Sequence, residues 1–192
     1  MIACLIGGGP SAADIDTARL PGMVIGINDA GFHKPCHHWF TLDHRYALNV
    51  MSRLAELPVS VGIHICALHR NFHHFHSSRV RLWRRVHAAM PPLDGATISS
   101  GPAVTPGCSG YAAINLAAQL GARTIYLFGY DFGEPYRYFF DETPFNRLMT
   151  SEVVRSFKPL AREYEALGIR VINCNPASAI RAFPFGEVPY AA

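Results

Sequence analysis

The chain has 192 residues, of which 49% are hydrophobic and 16% are charged, and its formal net charge is +3. This composition excludes a disordered chain and predicts one globular domain spanning residues 1–192, and a charge of this size does not by itself indicate a nucleic-acid partner. No apolar run reaches the ~20 residues that cross a bilayer, and the first residues lack the basic and apolar regions of a signal peptide. We therefore expect a cytoplasmic protein without a membrane span.

The chain opens with a short apolar run, Ile2–Ile6, which predicts a strand buried on both faces. The run breaks at the glycine turn Gly7–Ser11, and the segment from Ser11 to Asp14 has capping-box spacing, which predicts the start of a helix. A glycine turn between a strand and a helix offers backbone N–H groups to an anion such as phosphate.

The same turn has the form of a dinucleotide-binding fingerprint, Gly7-x-Gly9-x-x-Ala12. Asp29 follows about 20 residues later, where a carboxylate for the ribose hydroxyl is expected. Pro10 weakens the match because it fixes φ inside the turn and removes one donor. A glycine turn with a purely structural role remains the alternative.

Polar residues follow the next two predicted strands. Met23–Ile27 ends at Asn28, and Trp39–Leu42 is followed by Asp43 and His44. Turn chemistry accounts for a single residue of this kind. Several of them at one edge of a sheet indicate a shared pocket.

The five cysteines are widely spaced and contain no C-x-x-C pair, so we expect them to be reduced. Cys4, Cys66 and Cys174 fall within apolar runs, which predicts small buried hydrophobic residues. Cys108 differs because it borders a candidate ligand loop. A nucleophilic role for it would need an adjacent base, which the sequence does not place.

Tyr46–Leu57 is predicted to be a helix, and Val59–Cys66 is predicted to be the following strand, with His64 packed inside. The segment 69–87 that comes next is the least sheet-like part of the chain. Its arginines form a basic surface that fits an anionic acceptor, and the alternatives are a solvated helical face or an oligomer contact. These arginines are Arg70, Arg79, Arg81, Arg84 and Arg85.

The same segment contains a histidine cluster. His69, His73 and His76 would share one face of a helix, where histidines can hold a metal ion. No carboxylate or cysteine completes the ligand set. We therefore predict no metal site.

A helix and a strand follow one another in the middle of the chain. Ser109 is placed to cap a helix that Ala112–Leu120 propagates, and Arg123–Phe128 predicts a buried strand. Gly129 and Asp131 lie just past the carboxyl end of that strand. Ligands bind at this edge in open α/β sheets.

The last third of the chain begins with residues 133–150, which have no clear period and many aromatics, and this predicts a lid segment within the domain. Glu152–Leu167 predicts an amphipathic helix that Pro159 either kinks or begins. Ile169–Cys174 predicts a last strand, and Asn175–Ile180 a polar turn that opens a short helix. The recurring order of strand, turn and helix predicts an α/β fold, a mainly parallel sheet flanked by helices.

Three segments resemble the nucleotide-binding segments of bacterial lipooligosaccharide sialyltransferases: Ile6–Ile15, Ser109–Phe132 and Arg170–Ser178. The same segments are similar to a wider Rossmann-like group that includes the archaeal 6-hydroxymethylpterin diphosphokinases. The resemblance implies a Rossmann-like, GT-A-like nucleotide-binding domain with a small lid. It also implies transfer chemistry without a metal cofactor, since tyrosine hydroxyls neutralise the leaving group in those transferases.

The resemblance also implies a role for each matching residue. The first turn would hold the phosphate region of the donor, and the triplet 108–110 would contact its sugar. Gly129 and Asp131 would hold the ribose and base, and Tyr136 or Tyr138 would face the leaving phosphate. Asn175 joins the same edge from the turn after the last strand. The candidate nucleotide-binding set is Gly8, Gly9, Pro10, Ser11, Asn28, Cys108, Ser109, Gly110, Gly129, Asp131 and Asn175.

Two positions depart from the family pattern. Gly8 stands where the sialyltransferases carry an asparagine, and Ser151 stands where their general-base histidine is expected. No histidine follows His87 in the sequence. A base would have to come from elsewhere, and the candidates are Asp43, His44 and Glu134.

Three functions are consistent with these features. The leading one is a transferase that binds a nucleotide sugar and passes the glycosyl group to an unknown acceptor. The first alternative is a diphosphokinase-type transferase in which Asp43 and Asp131 hold Mg²⁺ on ATP phosphates. The second is a non-catalytic module that binds a nucleotide or another anion. The sequence leaves a homo-oligomer open.

Overall fold

A computed structural model describes residues 1–67, 77–85, 103–104, 108–133, 137–141 and 151–190. Within them the strands are β1 Ile2–Ile6, β2 Met23–Ile27, β3 His38–Thr41, β4 Gly62–Ala67, β5 Val80–Arg85, β6 Ala103–Val104, β7 Thr124–Phe128 and β8 Arg170–Asn173. The α-helices are α1 Ala30–His33, α2 His44–Ser52, α3 Ser109–Gln119 and α4 Ser151–Ala166. Short 3₁₀ turns cover Pro10–Ala12, Thr17–Arg19 and Leu54–Glu56.

The strands form one sheet in the order β6-β5-β4-β3-β2-β1-β7-β8. Neighbouring strands are parallel at all seven junctions. The chain runs outward from β1 through β2 to β6 on one side and then returns to add β7 and β8 on the other. The order therefore reverses between β1 and β7, and such a reversal leaves a crevice at the carboxyl ends of the two strands.

Helix α3 lies against the centre of this sheet and is buried almost all around. Its residues from 111 to 118 are all buried, and they pack with Leu5, Ile25 and Phe40 of the strands and with Phe157 of α4. A helix that is apolar on every side belongs inside a protein, and its alanines let it approach the strands closely. Through this packing the start of α3 is fixed beside the carboxyl ends of the strands.

The opposite face of the sheet is covered by α1, α2 and the first 3₁₀ turn. Trp39, Ile63 and Ile65 pack there with α2, while Cys4 and Ile6 pack with Ala12 and Ala30. The two helical layers bury both faces of the central strands, as expected for continuous apolar strands in a parallel sheet. The α/β fold predicted from the sequence is confirmed.

The segment 69–87 was predicted to be the least sheet-like, and this is wrong for its second half, which contains β5. Val80, Leu82 and Trp83 supply apolar side chains between arginines, and Trp83 is buried with only 2% of its surface exposed. Three of the six residues of β5 are arginines, so the apolar alternation that would reveal a half-buried strand is broken in the sequence. The three histidines at 69, 73 and 76 lie outside the described residues.

Helix boundaries also differ from the predictions. Ser11–Asp14 does not form a capping box: Pro10–Ala12 is a 3₁₀ turn whose N-cap is Gly9, with no side-chain cap. The hydroxyl of Ser11 is bonded elsewhere, as described below. Helix α3 is capped by Cys108, whose Sγ accepts from Tyr111 N at 3.4 Å, and Ser109 is its first residue.

Four further predictions of element bounds are corrected by the structure. Helix α2 ends at Ser52 and is followed by a 3₁₀ turn, and β4 begins only at Gly62. Pro159 lies inside α4 and does not begin it. The segment 175–180 is a turn closed by Asn175, whose side chain accepts from Ala177 N, and no helix follows it in the described residues.

All five cysteines are among the described residues, and none forms a disulfide. Cys4 and Cys66 are buried, and Cys174 is half-buried. Within the described part of the chain, no helix has both the length and the apolar character needed to cross a membrane.

Candidate functional site

The floor of the crevice is formed by close contact between the glycine turn and the end of β7. Gly7 N donates to Phe128 O at 2.8 Å, and Gly9 N donates to Gly129 O at 3.0 Å. Gly129 has a φ of +69°, and a Cβ there would overlap the Gly7 carbonyl. Only glycine combines this conformation with this approach, so the two strand ends are held together by backbone contacts.

Asp131 ties three segments together at this point. Its carboxylate accepts from Ser11 Oγ at 2.9 Å, from Ser11 N at 3.3 Å and from Asn175 Nδ2 at 2.8 Å. Burial raises the pKa of the Asp131 carboxyl, and the hydrogen bonds from Ser11 and Asn175 oppose that rise. The structure therefore brings together four residues that the sequence predicted: Gly9, Ser11, Asp131 and Asn175.

This geometry also limits what Asp131 can contact. Both of its carboxylate oxygens already accept hydrogen bonds from within the chain. A Cβ at Gly9 would overlap the same carboxylate. The direct contacts of Asp131 are thus with the turn and with Asn175, and it fixes the position of the N–H groups around it.

The start of α3 is joined to the same edge through Tyr130. The Tyr130 hydroxyl donates to Gly110 O at 3.0 Å, and Ser178 Oγ donates to Tyr130 O at 2.5 Å. Gly110 faces the Tyr130 ring, which a Cβ at Gly110 would approach to 3.0 Å. The predicted triplet 108–110 therefore lies beside the crevice, and Ser109 is half-buried in it.

A second polar group forms at the ends of β2 and β3. Thr41 Oγ1 donates to Asn28 Oδ1 at 2.7 Å and accepts from Asp43 N at 3.0 Å. Asn28 has a φ of +54°, a left-handed conformation that asparagine tolerates better than most residues. Asn28 and Asp43, both predicted to lie at this edge, are thus joined by Thr41.

The carboxylate of Asp43 is used by helix α2. It accepts from Arg45 N at 2.9 Å as the N-cap, and it forms an ion pair with the Arg45 guanidinium at 3.4 Å. His44, the other predicted base at this edge, is the first residue of α2. Glu134 lies outside the described residues. The structure does not test a catalytic role for any of the three.

Residues 137–141 of the predicted lid are described, and they pack on the glycine turn. Phe139 N donates to Gly8 O at 2.9 Å, and the Tyr138 ring lies over Gly8, where a Cβ would come within 2.5 Å of it. The Tyr138 and Phe140 rings stack with centroids 5.0 Å apart, and Phe140 stacks on His33 at 4.6 Å. Tyr136 and the lid residues 142–150 lie outside the described part.

A network of ionisable side chains lies at this part of the edge. Burial raises the pKa of Tyr46 of α2, and the neighbouring Tyr138, Asp29 and Asp43 act in the same direction. The Asp29 carboxyl is half-buried, and burial raises its pKa against the opposing effect of Arg53, His33 and Tyr46. The residues around this network are Asp29, His33, Asp43, Tyr46, Arg53 and Tyr138.

Of the five arginines of the predicted basic surface, the structure describes the side chains of Arg79 and Arg81. The Arg79 guanidinium donates to three backbone carbonyls, those of Leu54, Leu57 and Pro58. Arg79 therefore stabilises the turn before β4, while Arg81 lies over the Trp83 ring at 4.7 Å. Arg70 and the side chains of residues 84 and 85 lie outside the described residues.

In the described residues, no three His, Cys, Asp or Glu side chains are close enough to hold a metal ion. Asp43 and Asp131, the two carboxylates considered for Mg²⁺, are each bonded to groups of the chain itself. The arrangement at this edge is therefore one of backbone N–H groups, hydroxyls and amides.

Tyr46 and His33 were not among the residues predicted for this edge. His33 stacks on Phe140 of the lid, more than a hundred positions along the chain, and Tyr46 lies near Tyr138. The signal in the sequence is that each lies in the helix that follows a predicted strand end, His33 in α1 after β2 and Tyr46 in α2 after β3.

The comparisons with known proteins agree with this architecture. No protein-family model matches the chain, and no curated protein matches it significantly. Solved structures of the sialyltransferase CstII from Campylobacter jejuni do match. The structure in complex with the substrate analogue CMP-3FNeuAc has a TM-score of 0.57 and 19% identity, covering 98% of this chain and 86% of that chain.

Two further CstII structures give the same result. The one with cytidine-5'-monophosphate has a TM-score of 0.58 at 19% identity, over 98% of this chain and 85% of that chain. The one with a trisaccharide acceptor and CMP has a TM-score of 0.57 at 19% identity, over 99% of this chain and 87% of that chain. At this level of identity the likeness shows a shared fold, the Rossmann-like fold of these sialyltransferases.

Proposed function

We propose that the protein is a glycosyltransferase that binds a nucleotide sugar at the carboxyl edge of its sheet and transfers the glycosyl group to an acceptor. The observation that carries the proposal is the crevice between β1 and β7, with a glycine turn on its floor and the start of α3 beside it. Crevices of this kind bind nucleotides in open α/β sheets. The shared fold with CstII, whose structures contain CMP and a CMP-sugar analogue, favours a cytidine nucleotide.

In this proposal the glycine turn approaches the donor phosphate with its backbone. Gly8 and Gly9 have no side chains that would block the approach, and Ser11 is held in place by Asp131. Cys108, Ser109 and Gly110 approach the donor from the start of α3. Asn28 lines the neighbouring strand end, next to the acceptor side of the crevice.

The reaction we propose is a single displacement. A hydroxyl oxygen of the acceptor bonds to the anomeric carbon, and the bond from that carbon to the phosphate oxygen breaks. The nucleotide leaves with the bonding electrons, and the hydroxyl proton passes to a base. The Tyr138 hydroxyl is expected to donate to the leaving phosphate, so no metal cofactor is required.

The proposal is tested with purified protein and a panel of CMP-, UDP- and GDP-sugars. We expect saturable binding of at least one donor by calorimetry in the presence of EDTA, with release of the free nucleotide measured by chromatography. Ser109→Ala is expected to weaken binding, and Ser52→Ala, which changes an exposed serine of α2, serves as the matched control.

The outcomes separate the alternatives. ATP binding that depends on Mg²⁺, without binding of any nucleotide sugar, would favour the diphosphokinase reading. Saturable binding without release of nucleotide under any condition would indicate the non-catalytic module. Absence of binding to every nucleotide in the panel would exclude the proposed function altogether.

A further inference from the structure

We propose that Thr41 is a positioning residue that holds the Oδ1 end of the Asn28 carboxamide, so that the Nδ2 end of that side chain faces the crevice. Asn28 then donates a hydrogen bond to an oxygen atom of the bound nucleotide sugar. This part deepens the proposed function and rests on it. Which end of the Asn28 carboxamide Thr41 holds is a separate question about the protein alone.

The backbone of Asn28 is held on both sides. Asn28 N donates to Phe40 O of β3 at 3.0 Å, and Gly31 N donates to Asn28 O at 3.2 Å. The φ of Asn28 is +54°, in a region that asparagine visits more readily than most residues with a Cβ. These contacts fix where the side chain begins. What they leave open is which end of the carboxamide, oxygen or nitrogen, lies towards Thr41.

Three distances around the Thr41 hydroxyl answer this question. Thr41 Oγ1 lies 2.7 Å from Asn28 Oδ1, accepts from Asp43 N at 3.0 Å and lies 3.4 Å from Asp43 O. An O–H···O bond is usually about 2.7–2.8 Å long, whereas a bond from an amide nitrogen is usually about 2.9–3.0 Å, so the short contact fits an oxygen. The hydroxyl has one proton to give. If Nδ2 faced Thr41, that proton would be left with Asp43 O, which is too far away for a good hydrogen bond.

Burial makes the Thr41 hydroxyl a fixed partner. Thr41 is fully buried, at 0% exposure, so water cannot replace an acceptor that its hydroxyl loses. The same oxygen accepts from the backbone N–H of Asp43, the residue directly before α2. The hydroxyl is therefore held from the start of α2 while it donates to Asn28, and a reversal of the carboxamide would leave its proton without a good acceptor.

The place of β2 in the sheet gives the direction of the other end of the carboxamide. β2 lies between β3 and β1, and Thr41 is the last residue of β3. Oxygen and nitrogen lie on opposite sides of the Cγ of a planar carboxamide, so an oxygen turned towards β3 leaves the nitrogen on the side of β1 and the glycine turn. Among the described residues Asn28 Nδ2 makes no hydrogen bond, and Asn28 is only half-buried. Its N–H groups are therefore presented to a ligand in the crevice.

The first test uses the protein without a ligand. Thr41→Val removes the hydroxyl at nearly constant shape, Thr41→Ser keeps it, and Thr124→Val, at the amino end of β7, is the matched control. NMR measures the chemical shifts of ¹³Cγ and of the Nδ2 protons of Asn28. Because a hydrogen bond deshields the carbonyl carbon that accepts it, we expect ¹³Cγ to move upfield in Thr41→Val and to stay in place in the other two variants.

The same measurement contains the result that would overturn the proposal. Movement of the Nδ2 protons in place of ¹³Cγ, or no change at Asn28 in Thr41→Val, would show that Thr41 does not hold Oδ1. If Thr41→Val does not fold, neutron diffraction from the wild-type protein decides, because it locates the deuterons on Nδ2 and on the hydroxyl directly. Nδ2 deuterons directed at Thr41 would overturn the proposal in that experiment.

The second test measures binding of CMP-3FNeuAc, the analogue present in a CstII structure, by calorimetry. We expect Thr41→Val to weaken binding about tenfold, the loss of one well-placed hydrogen bond, and Thr41→Ser to bind as the wild type does. Thr41→Val should have no further effect in an Asn28→Ala background, because Thr41 acts through Asn28. Asn28→Asp should weaken binding more than Asn28→Ala, since its carboxylate keeps the bond from Thr41 and turns a negative oxygen towards an anionic ligand.

The two tests fail separately. A wild-type protein that does not bind CMP-3FNeuAc would count against the cytidine donor of the proposed function, while the NMR shifts would still decide whether Thr41 holds Oδ1. Equal affinities of the wild type and Thr41→Val, together with the expected ¹³Cγ shift, would overturn the contact between Asn28 and the ligand.

Discussion

At the scale of single residues, Asp131 connects segments of the chain at the predicted ligand edge. Its predicted contact with a nucleotide stays a prediction, and in the structure its carboxylate accepts hydrogen bonds from Ser11 and Asn175. A carboxylate that organises a loop of N–H groups contributes to binding indirectly, because it removes the cost of ordering the loop when the ligand arrives. Its position was predictable from the strand end, but its partners were not.

Asp131→Asn tests this role. The asparagine has the same shape but brings its own N–H₂ donor to a place where Ser11 and Asn175 already donate, so at least one donor loses its acceptor. We expect the free energy of unfolding to fall by about 1–3 kcal/mol, measured by urea denaturation. Asp14→Asn, at an exposed position, is the control. Equal stability of the two variants would show that the Asp131 contacts do not stabilise the fold.

A second residue-scale prediction concerns Gly8. An added methyl group would come within 2.5 Å of the Tyr138 ring, which the stack on Phe140 prevents from moving freely, so the lid segment should be displaced. We expect Gly8→Ala to raise the rate of tryptic cleavage after Arg137 at least about fivefold. Gly133→Ala is a matched control, because among the described residues no atom beyond its chain neighbours lies within 4 Å of the added methyl. Equal cleavage rates in the two variants would contradict the packing described.

At the scale of elements, the central strands could be predicted almost to the residue, and the outer ones could not. β1 and β2 are continuous apolar runs bounded by glycine or polar turns, so their sequence carries the full signal of a strand buried on both faces. Half of the residues of β5 are arginines, and the strand was missed. Its burial depends on pairing with β4, a contact that local sequence does not encode.

The strands β3, β4 and β5 are linked by a chain of three rings, of which Trp83 and His64 are buried and His38 is half-buried. Trp83 Nε1 donates to His64 Nδ1 at 2.9 Å, and His64 Nε2 lies 2.9 Å from His38 Nδ1. Since Nδ1 of His64 accepts, its proton is on Nε2, and the imidazole is neutral. Burial lowers the pKa of His64 to about 3, with the charges of His38 and Arg81 acting in the same direction.

The hydrogen-bonded rings of Trp83, His64 and His38 predict that the fold is less stable in acid. The unfolded His64 binds a proton below its ordinary pKa of 6.5, whereas the folded one stays neutral down to about 3. The full contribution of His64 to the free energy of unfolding is therefore present above pH 6.5 and is lost as the pH drops from 6.5 towards 3. Protonation of His64 in the unfolded state should lower the free energy of unfolding by about 2 kcal/mol between pH 6.5 and 5. The glutamine of His64→Gln can keep both hydrogen bonds but does not titrate. In this variant the free energy of unfolding, measured by urea denaturation, should depend less on pH between 6.5 and 5. An unchanged pH dependence would contradict the role given to His64.

At the scale of the whole molecule, the reversal of strand order between β1 and β7 determines where a ligand can bind. The sequence predicted most of the polar residues of this edge, because each follows an apolar strand directly. It could not predict which residues touch, because His33 and Phe140 are stacked only by the packing of the lid on α1 at the same edge. The fold shared with CstII extends over nearly the whole chain. The crevice is therefore formed by the order of the strands in the sheet and does not depend on a single loop.

The most direct test of this account is a crystal structure of the protein soaked with cytidine-5'-monophosphate. We predict that the nucleotide lies between the carboxyl ends of β1 and β7, with its phosphate beside the turn at Gly8 and Gly9 and its ribose beside Gly129 and Asp131. A nucleotide bound at any other part of the sheet, or an empty crevice at saturating concentration, would contradict the account.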